Sequence, residues 1–260
     1  MKEFSVNIEI VKGCNNTNCK SWNTTCIHDG NIILMSNNTL DNIVRQLQDR
    51  TIKTLSLFGL GEPLIRNDLE IIIKKLQDLN YKNLQVNTDA HMFNIITSAL
   101  PRIDVLAITH KDNIVDTSFA VKKYTSKVGK LAHVFILSQL TKSKLLEIDE
   151  YIDTCFNFHE RQTFGIQPMW SCLFDKPMTK NNIDFVIEDG IEIVGEPVPS
   201  TEVSRAYFCV DGSIKKCFFS NKILNNIDDA INNTETLCAT CLVRGQAYEI
   251  LTKGGDNNEI

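Results

Sequence analysis

Apolar residues follow two rhythms along the first two-thirds of the chain. In short runs they crowd or alternate, and these read as strands: Ser5–Val11, Thr54–Phe58, Asn83–Val86, Val105–Thr109, His133–Leu137 and Thr163–Gln167. Between the runs they recur at helical spacing. Leu40, Ile43, Val44 and Leu47 form one such stripe, and Leu69, Ile72, Ile73, Leu76 and Leu79 form another. Phe93, Ile96 and Leu100, then Leu145, Ile148, Tyr151 and Ile152, continue the alternation. Asn67 and Asp68 stand where the second stripe needs a cap, and a carboxylate suits the positive end of a helix. Six strand–helix units in sequence predict right-handed crossovers and a parallel sheet. The fold class is therefore α/β, as a partial (β/α)6 barrel or an open doubly wound sheet, since six units are too few for a closed eight-stranded barrel. In either arrangement the C-terminal ends of the strands carry the site.

The pattern changes after about Trp170. Residues 171–200 are irregular, with Pro177, Pro197 and Pro199 and one short apolar run at Ile191–Val194. The stretch from Ala206 to Phe218 then reads as a β-hairpin around Asp211-Gly212. A helix containing Ile223, Ile227, Ala230 and Ile231 follows, and the tail around Gly254–Asn258 is expected to fray. These shifts predict a barrel-like unit over 1–175 and a smaller α+β domain over 176–260.

Composition narrows the function more than the fold. A chain of 260 residues can bury one large core, or a medium one with a small companion. Its net charge of −5 supplies no basic field, which lowers the expectation of nucleic-acid binding. The start, Met1-Lys2-Glu3-Phe4-Ser5-Val6-Asn7, has no apolar segment of signal-peptide length, and the apolar runs elsewhere are strand-sized. A cytoplasmic protein without a membrane partner is the expectation. In a reducing compartment nine cysteines point away from disulfides, and clustered ones point to metal.

Two clusters stand out. Cys14, Cys19 and Cys26 lie in one polar loop after the first strand, spaced C-x4-C-x6-C. All-cysteine ligation suits zinc or an iron–sulfur cluster. Three thiolates can hold three irons of a 4Fe–4S cluster and leave the fourth open. The second set is Cys209 and Cys217 on the hairpin, with Cys238 and Cys241 beyond the helix. By spacing alone it fits a zinc ribbon. If Cys209 and Cys217 share one metal group, a three-residue loop over Asp211–Ser213, or a bulge, must put both sulfurs on one face.

The segment Ser56-Leu57-Phe58-Gly59-Leu60-Gly61-Glu62-Pro63-Leu64, one unit after the first cysteine loop, resembles the Gly-Gly-Glu-Pro segment of radical S-adenosylmethionine (SAM) enzymes. Cys14-Asn15 and Trp22 resemble the family's cysteine loop, whose usual spacing is C-x3-C-x2-C. Val86-Asn87-Thr88-Asp89-Ala90, Ile108-Thr109-His110-Lys111-Asp112 and Ile166-Gln167-Pro168-Met169 resemble its third, fourth and sixth strand ends. The likeness spans about Phe4 to Met169. The hairpin and later cysteines resemble the auxiliary-cluster domain called SPASM, or its shorter form, twitch.

The resemblance implies that Cys14, Cys19 and Cys26 hold a 4Fe–4S cluster and that SAM binds its open iron. Gly59, Gly61 and Glu62 would bind SAM's amino end, with Asn87, Thr88, Thr109 and Gln167 facing the cofactor. Cys209, Cys217, Cys238 and Cys241 would hold an auxiliary 4Fe–4S cluster. The activity implied is reductive cleavage of SAM to a 5′-deoxyadenosyl radical, which takes hydrogen from a substrate carbon in an oxidation or bond-forming step. A flavodoxin or ferredoxin would supply the electron, and the substrate would be a peptide or small molecule, with a nucleotide or nucleic acid as the alternative. The competing class is a zinc-binding interaction module with two structural sites. Cys155 reads as packing and Cys172 as a thiol after the sixth strand. The five histidines make no ligand-spaced pair. His110 falls at a strand end, and His91 is expected to be surface or structural.

Overall fold

The computed structural model describes residues 3–15, 31–93, 99–110, 114–130, 132–138, 164–168, 205–216, 220 and 222–232. The expected strands form one sheet. β1 (Phe4–Ile8), β4 (Ile52–Leu57), β5 (Tyr81–Thr88), β6 (Val105–His110), β7 (His133–Ser138) and β8 (Phe164–Pro168) lie side by side in chain order, every neighbouring pair parallel. The expected first strand ends early. After Ile8 the chain leaves the sheet, and β2 (Val11–Lys12) pairs antiparallel with β3 (Ile33–Leu34) as a separate ribbon. This ribbon brackets the cysteine loop at its base.

Chain order in the sheet decides between the two expected layouts. A doubly wound sheet reverses its strand order and covers both faces with helices, whereas same-sense crossovers between successive neighbours put the helices on one face. Here Val6, Ile8, Leu55, Leu57, Leu84, Val86, Leu106 and Ile108 share a single core with the helices, and Ser5, Asn7, Ser56, Gln85 and Asn87, which alternate with them along the strands, take the opposite face. Among the described residues, the row is singly wound from β1 to β6.

The helices form where their apolar stripes fall. In α1 (Asn37–Leu47), Leu40, Ile43 and Leu47 are buried, and the Ser36 side chain caps it by accepting from the Thr39 N–H at 3.0 Å. In α2 (Leu69–Leu76), Leu69, Ile72, Ile73 and Leu76 are buried. Asp68 occupies the cap position but makes no side-chain cap bond; its carboxylate pairs with the buried Arg66 guanidinium through two contacts of 2.7 Å. Arg66 also donates to the Met35 carbonyl at 2.6 Å. A helix that the apolar pattern did not single out, α3 (Ile114–Val128), buries Thr117, Ala120, Val121 and Tyr124. The Tyr124 hydroxyl donates to the carbonyls of Ile103 and Asp104, and burial raises its pKa to about 12. Phe93 is buried and Leu100 opens a short 3-10 turn, while Leu145–Ile152 lies outside the described residues.

The hairpin joins the main sheet. β9 (Arg205–Phe208) pairs parallel with β1, and β10 (Ile214–Lys215) closes back on β9. Its loop has three residues, as the shared-face requirement predicts, but it is Val210–Gly212, one residue earlier than expected. Cys209 N–H donates to the Ser213 carbonyl at 2.9 Å, and Gly212 takes the left-handed conformation, φ 86°, that this loop type needs. α4 (Ile227–Asn232) follows, shorter than the stripe suggested, with Ile223 outside it and exposed. Arg50, just past α1, clasps Asp228 of α4 at 2.7 and 3.1 Å. The predicted division at residue 175 falls outside the described residues. Among those described, no helix is long and apolar enough to cross a membrane.

Candidate functional site

The first cysteine loop and the glycine turn meet beyond the C-terminal ends of β1 and β4. Gly13 and Gly61 form a parallel bridge, in which the Gly13 N–H donates to the Leu60 carbonyl at 3.3 Å and the Glu62 N–H to the Gly13 carbonyl at 3.4 Å. A side chain at Gly61 would put its Cβ 2.5 Å from the Val11 carbonyl oxygen and 2.6 Å from that of Gly13. The close approach that requires glycine is therefore between two backbone segments. Gly13 itself is left-handed, φ 93°, and turns the chain from the ribbon into Cys14. Cys14 is buried.

Glu62 is 3% exposed and joins two segments. Oε1 accepts from the Leu64 N–H at 3.0 Å, capping the short turn Pro63–Ile65, and Oε2 accepts from the Asp89 N–H at 2.9 Å. Burial, and next the negative charge of Asp89, hold the Glu62 carboxyl well above the usual carboxylate range.

The end of β5 separates two of the expected cofactor residues. Asn87 and Thr88 are successive strand residues and point to opposite faces. Asn87 accepts from the Gln85 side chain at 2.7 Å, whereas buried Thr88 accepts from the Ala90 N–H at 2.9 Å. Ala90 is left-handed, φ 67°, a conformation strained for a residue with a Cβ. On either side of it, Asp89 and His91 contact each other side chain to side chain, and the second His91 ring nitrogen lies 2.8 Å from Asn15 Oδ1. Ligand atoms of Cys14, Asp89 and His91 all lie within 4.8 Å of one another. His91, expected to be surface or structural, thus stands beside the first cysteine.

A second carboxylate escaped the sequence reading. Glu9, also 3% exposed, accepts from the Leu60 N–H at 2.8 Å and from the Val210 N–H at 3.1 Å. It links the glycine turn to the Cys209 hairpin, and its side chain fills the space that a Gly59 Cβ would need. The local signal was present: Ile8-Glu9-Ile10 sets one charge inside an apolar run. The Cys209 thiol is pushed up by burial, against the opposing pull of Ser213 and Lys215.

Thr109 and Gln167 lie in β6 and β8, in register with Phe135 and Leu137 of β7. Cys19, Cys26, Cys217, Cys238 and Cys241, with Cys155 and Cys172, lie outside the described residues.

Residues 6–134 match the family model of a 4Fe-4S single cluster domain. The first half of the chain is similar to an iron–sulfur protein. The matched segment holds Cys14, Cys19, Cys26 and Glu62 and stops before the second cysteine set. Among solved structures, the crystal structure of BtrN in complex with AdoMet and 2-DOIA has 14% identity and a TM-score of 0.45, covering 98% of this chain and 92% of that chain. No curated protein matches this chain in sequence.

Proposed function

We propose that the chain is a radical SAM enzyme whose sheet curves into a partial (β/α)6 barrel around its polar face. The observation that carries the reading is the Gly13–Gly61 bridge, which fixes Cys14 of a three-cysteine loop against a Gly-Leu-Gly-Glu turn at the C-terminal ends of adjacent parallel strands. The match of this half to a 4Fe-4S single cluster domain supports it.

The donor set fits the group. Cys14, with Cys19 and Cys26, would hold a 4Fe–4S cluster with one iron open to SAM. When bound, cluster and SAM together supply a radical able to take hydrogen from an unactivated carbon. Glu62 would accept the ammonium of SAM. Each of its oxygens takes one backbone N–H and keeps a lone pair for another donor, and a cation beside it restores the ionised form that burial disfavours. Asn7, Ser56 and Gln85 stand in one register row across β1, β4 and β5, on the face away from the helices. They would hold a polar substrate in place. Cys209, with Cys217, Cys238 and Cys241, would bind an auxiliary 4Fe–4S cluster that passes electrons. The substrate would be a peptide or small molecule, and a flavodoxin or ferredoxin in the cytoplasm would be the reductant.

Anaerobic purification tests the reading. A brown protein with about eight irons supports two 4Fe–4S clusters, and colourless protein holding two zincs overturns it. Cys14→Ala is expected to abolish 5′-deoxyadenosine formation from SAM, and persistent formation refutes the ligand assignment.

A further inference from the structure

We propose that Cys14, Asp89 and His91 form a mononuclear site for a divalent transition metal of the zinc and ferrous-iron class, filled when the three-cysteine cluster is absent. Their ligand atoms lie within 4.8 Å of one another, so a modest closing movement of the side chains would set all three around one tetrahedral ion. One sulfur, one imidazole nitrogen and one carboxylate oxygen make the mixed, borderline set that such ions prefer. A fourth position stays open.

The three side chains come from two segments that the fold holds together. Cys14 is fixed through the Gly13–Gly61 bridge, and Asp89 through its N–H to Glu62 Oε2. The left-handed turn at Ala90 brings Asp89 and His91, two residues apart, to the same place. Strain at one non-glycine residue beside a set of metal-ligating groups is the kind that persists because a site needs it. Binding would release the Cys14 thiol proton to solvent, leaving thiolate, carboxylate and neutral imidazole as ligands. Cluster assembly needs the same Cys14 sulfur, so ion and cluster exclude each other. The site does not depend on the iron–sulfur reading, because it uses neither Cys19 nor Cys26.

Cobalt(II) tests this on the full-length, metal-free chain held under anaerobic conditions. Sulfur-to-cobalt charge transfer reports thiolate ligation, and the visible bands report tetrahedral geometry. The expected result is that Cys14→Ala removes the charge-transfer intensity of one thiolate. His91→Ala and Asp89→Asn each remove a ligand and weaken binding by more than the roughly 10- to 100-fold that losing an outer-shell partner costs. A Cys19→Ala, Cys26→Ala double variant keeps the Cys14-dependent signal. His91→Cys restores binding with added charge-transfer intensity, which separates ligand loss from misfolding. Loss of the signal in the double variant, or unchanged affinity in His91→Ala and Asp89→Asn, overturns the proposal in favour of a three-cysteine zinc loop. Iron content after cluster reconstitution, measured separately, decides the radical SAM reading.

Discussion

Glu9 and Glu62 are chemically the same residue and equally buried, and each accepts two backbone N–H groups, Glu9 from two distant segments and Glu62 from Leu64 of its own turn and from Asp89. They differ in what stands beside them. Glu9 holds the glycine turn to the C-terminal hairpin. Glu62 faces Asp89, so its charge is opposed as well as desolvated. A carboxylate that only joins segments gains nothing from a second negative group, whereas one that receives a cation gains attraction from both. On the proposed reading, Glu9 serves the fold and Glu62 would receive a ligand.

Three experiments sharpen or break that contrast. The largest effect is expected from Glu9→Ala, which strands two N–H groups and should cost about 2–6 kcal/mol in urea unfolding, at about 1–3 kcal/mol per unsatisfied group. Glu62→Ala strands as many donors but also removes the repulsion with Asp89, so its loss should be smaller; equal losses would erase the distinction. Next come the isosteric variants. Glu62→Gln should weaken SAM binding about tenfold or more by removing a charge-assisted partner, while Glu9→Gln lowers stability and leaves SAM affinity within about twofold. Isothermal titration calorimetry on the folded proteins reads this directly, and an affinity loss confined to Glu9→Gln would reverse the assignment.

The smallest effect is a slope. Burial and Asp89 raise the Glu62 value in the folded state above that of an unfolded glutamate, about 4.3. Its contribution to stability is therefore full below that ordinary value and is lost as pH rises through the raised one. Stability of the wild type relative to Glu62→Gln should increase as pH falls through the raised value toward the ordinary one. A flat difference in urea midpoints would mean that Glu62 is not opposed.

What the sequence disclosed, and what it hid, follows from how far each signal reaches. The six parallel strands announce themselves because their apolar residues crowd within a few positions, and α1 and α2 because Leu and Ile mark their stripes. α3 is silent, since Thr117 and Ala120 are two of the four residues it buries among those described. The first strand reads too long because Ile10 and Val11 are as buried in their ribbon surroundings as Val6 and Ile8 are in the sheet. Asp68 looks like a cap, but Arg66, two residues away, takes its carboxylate. At the site, Cys14, the glycine turn and Glu62 are legible as motifs. The nearness of His91 to Cys14 is not, because it depends on a left-handed Ala90 that no local pattern announces.

The hydrogen bond from Val210 to Glu9 spans 201 residues of chain. Contacts that close so long a loop carry a high entropic cost and form late in folding. During synthesis β1 to β7 can pair in order as they emerge, and the Cys14 loop can meet the glycine turn, before β9 exists. Glu9 would then wait at an open sheet edge with one donor in place. β9 would arrive onto an edge already formed, so Cys14 would meet the glycine turn before the Cys209 hairpin docks.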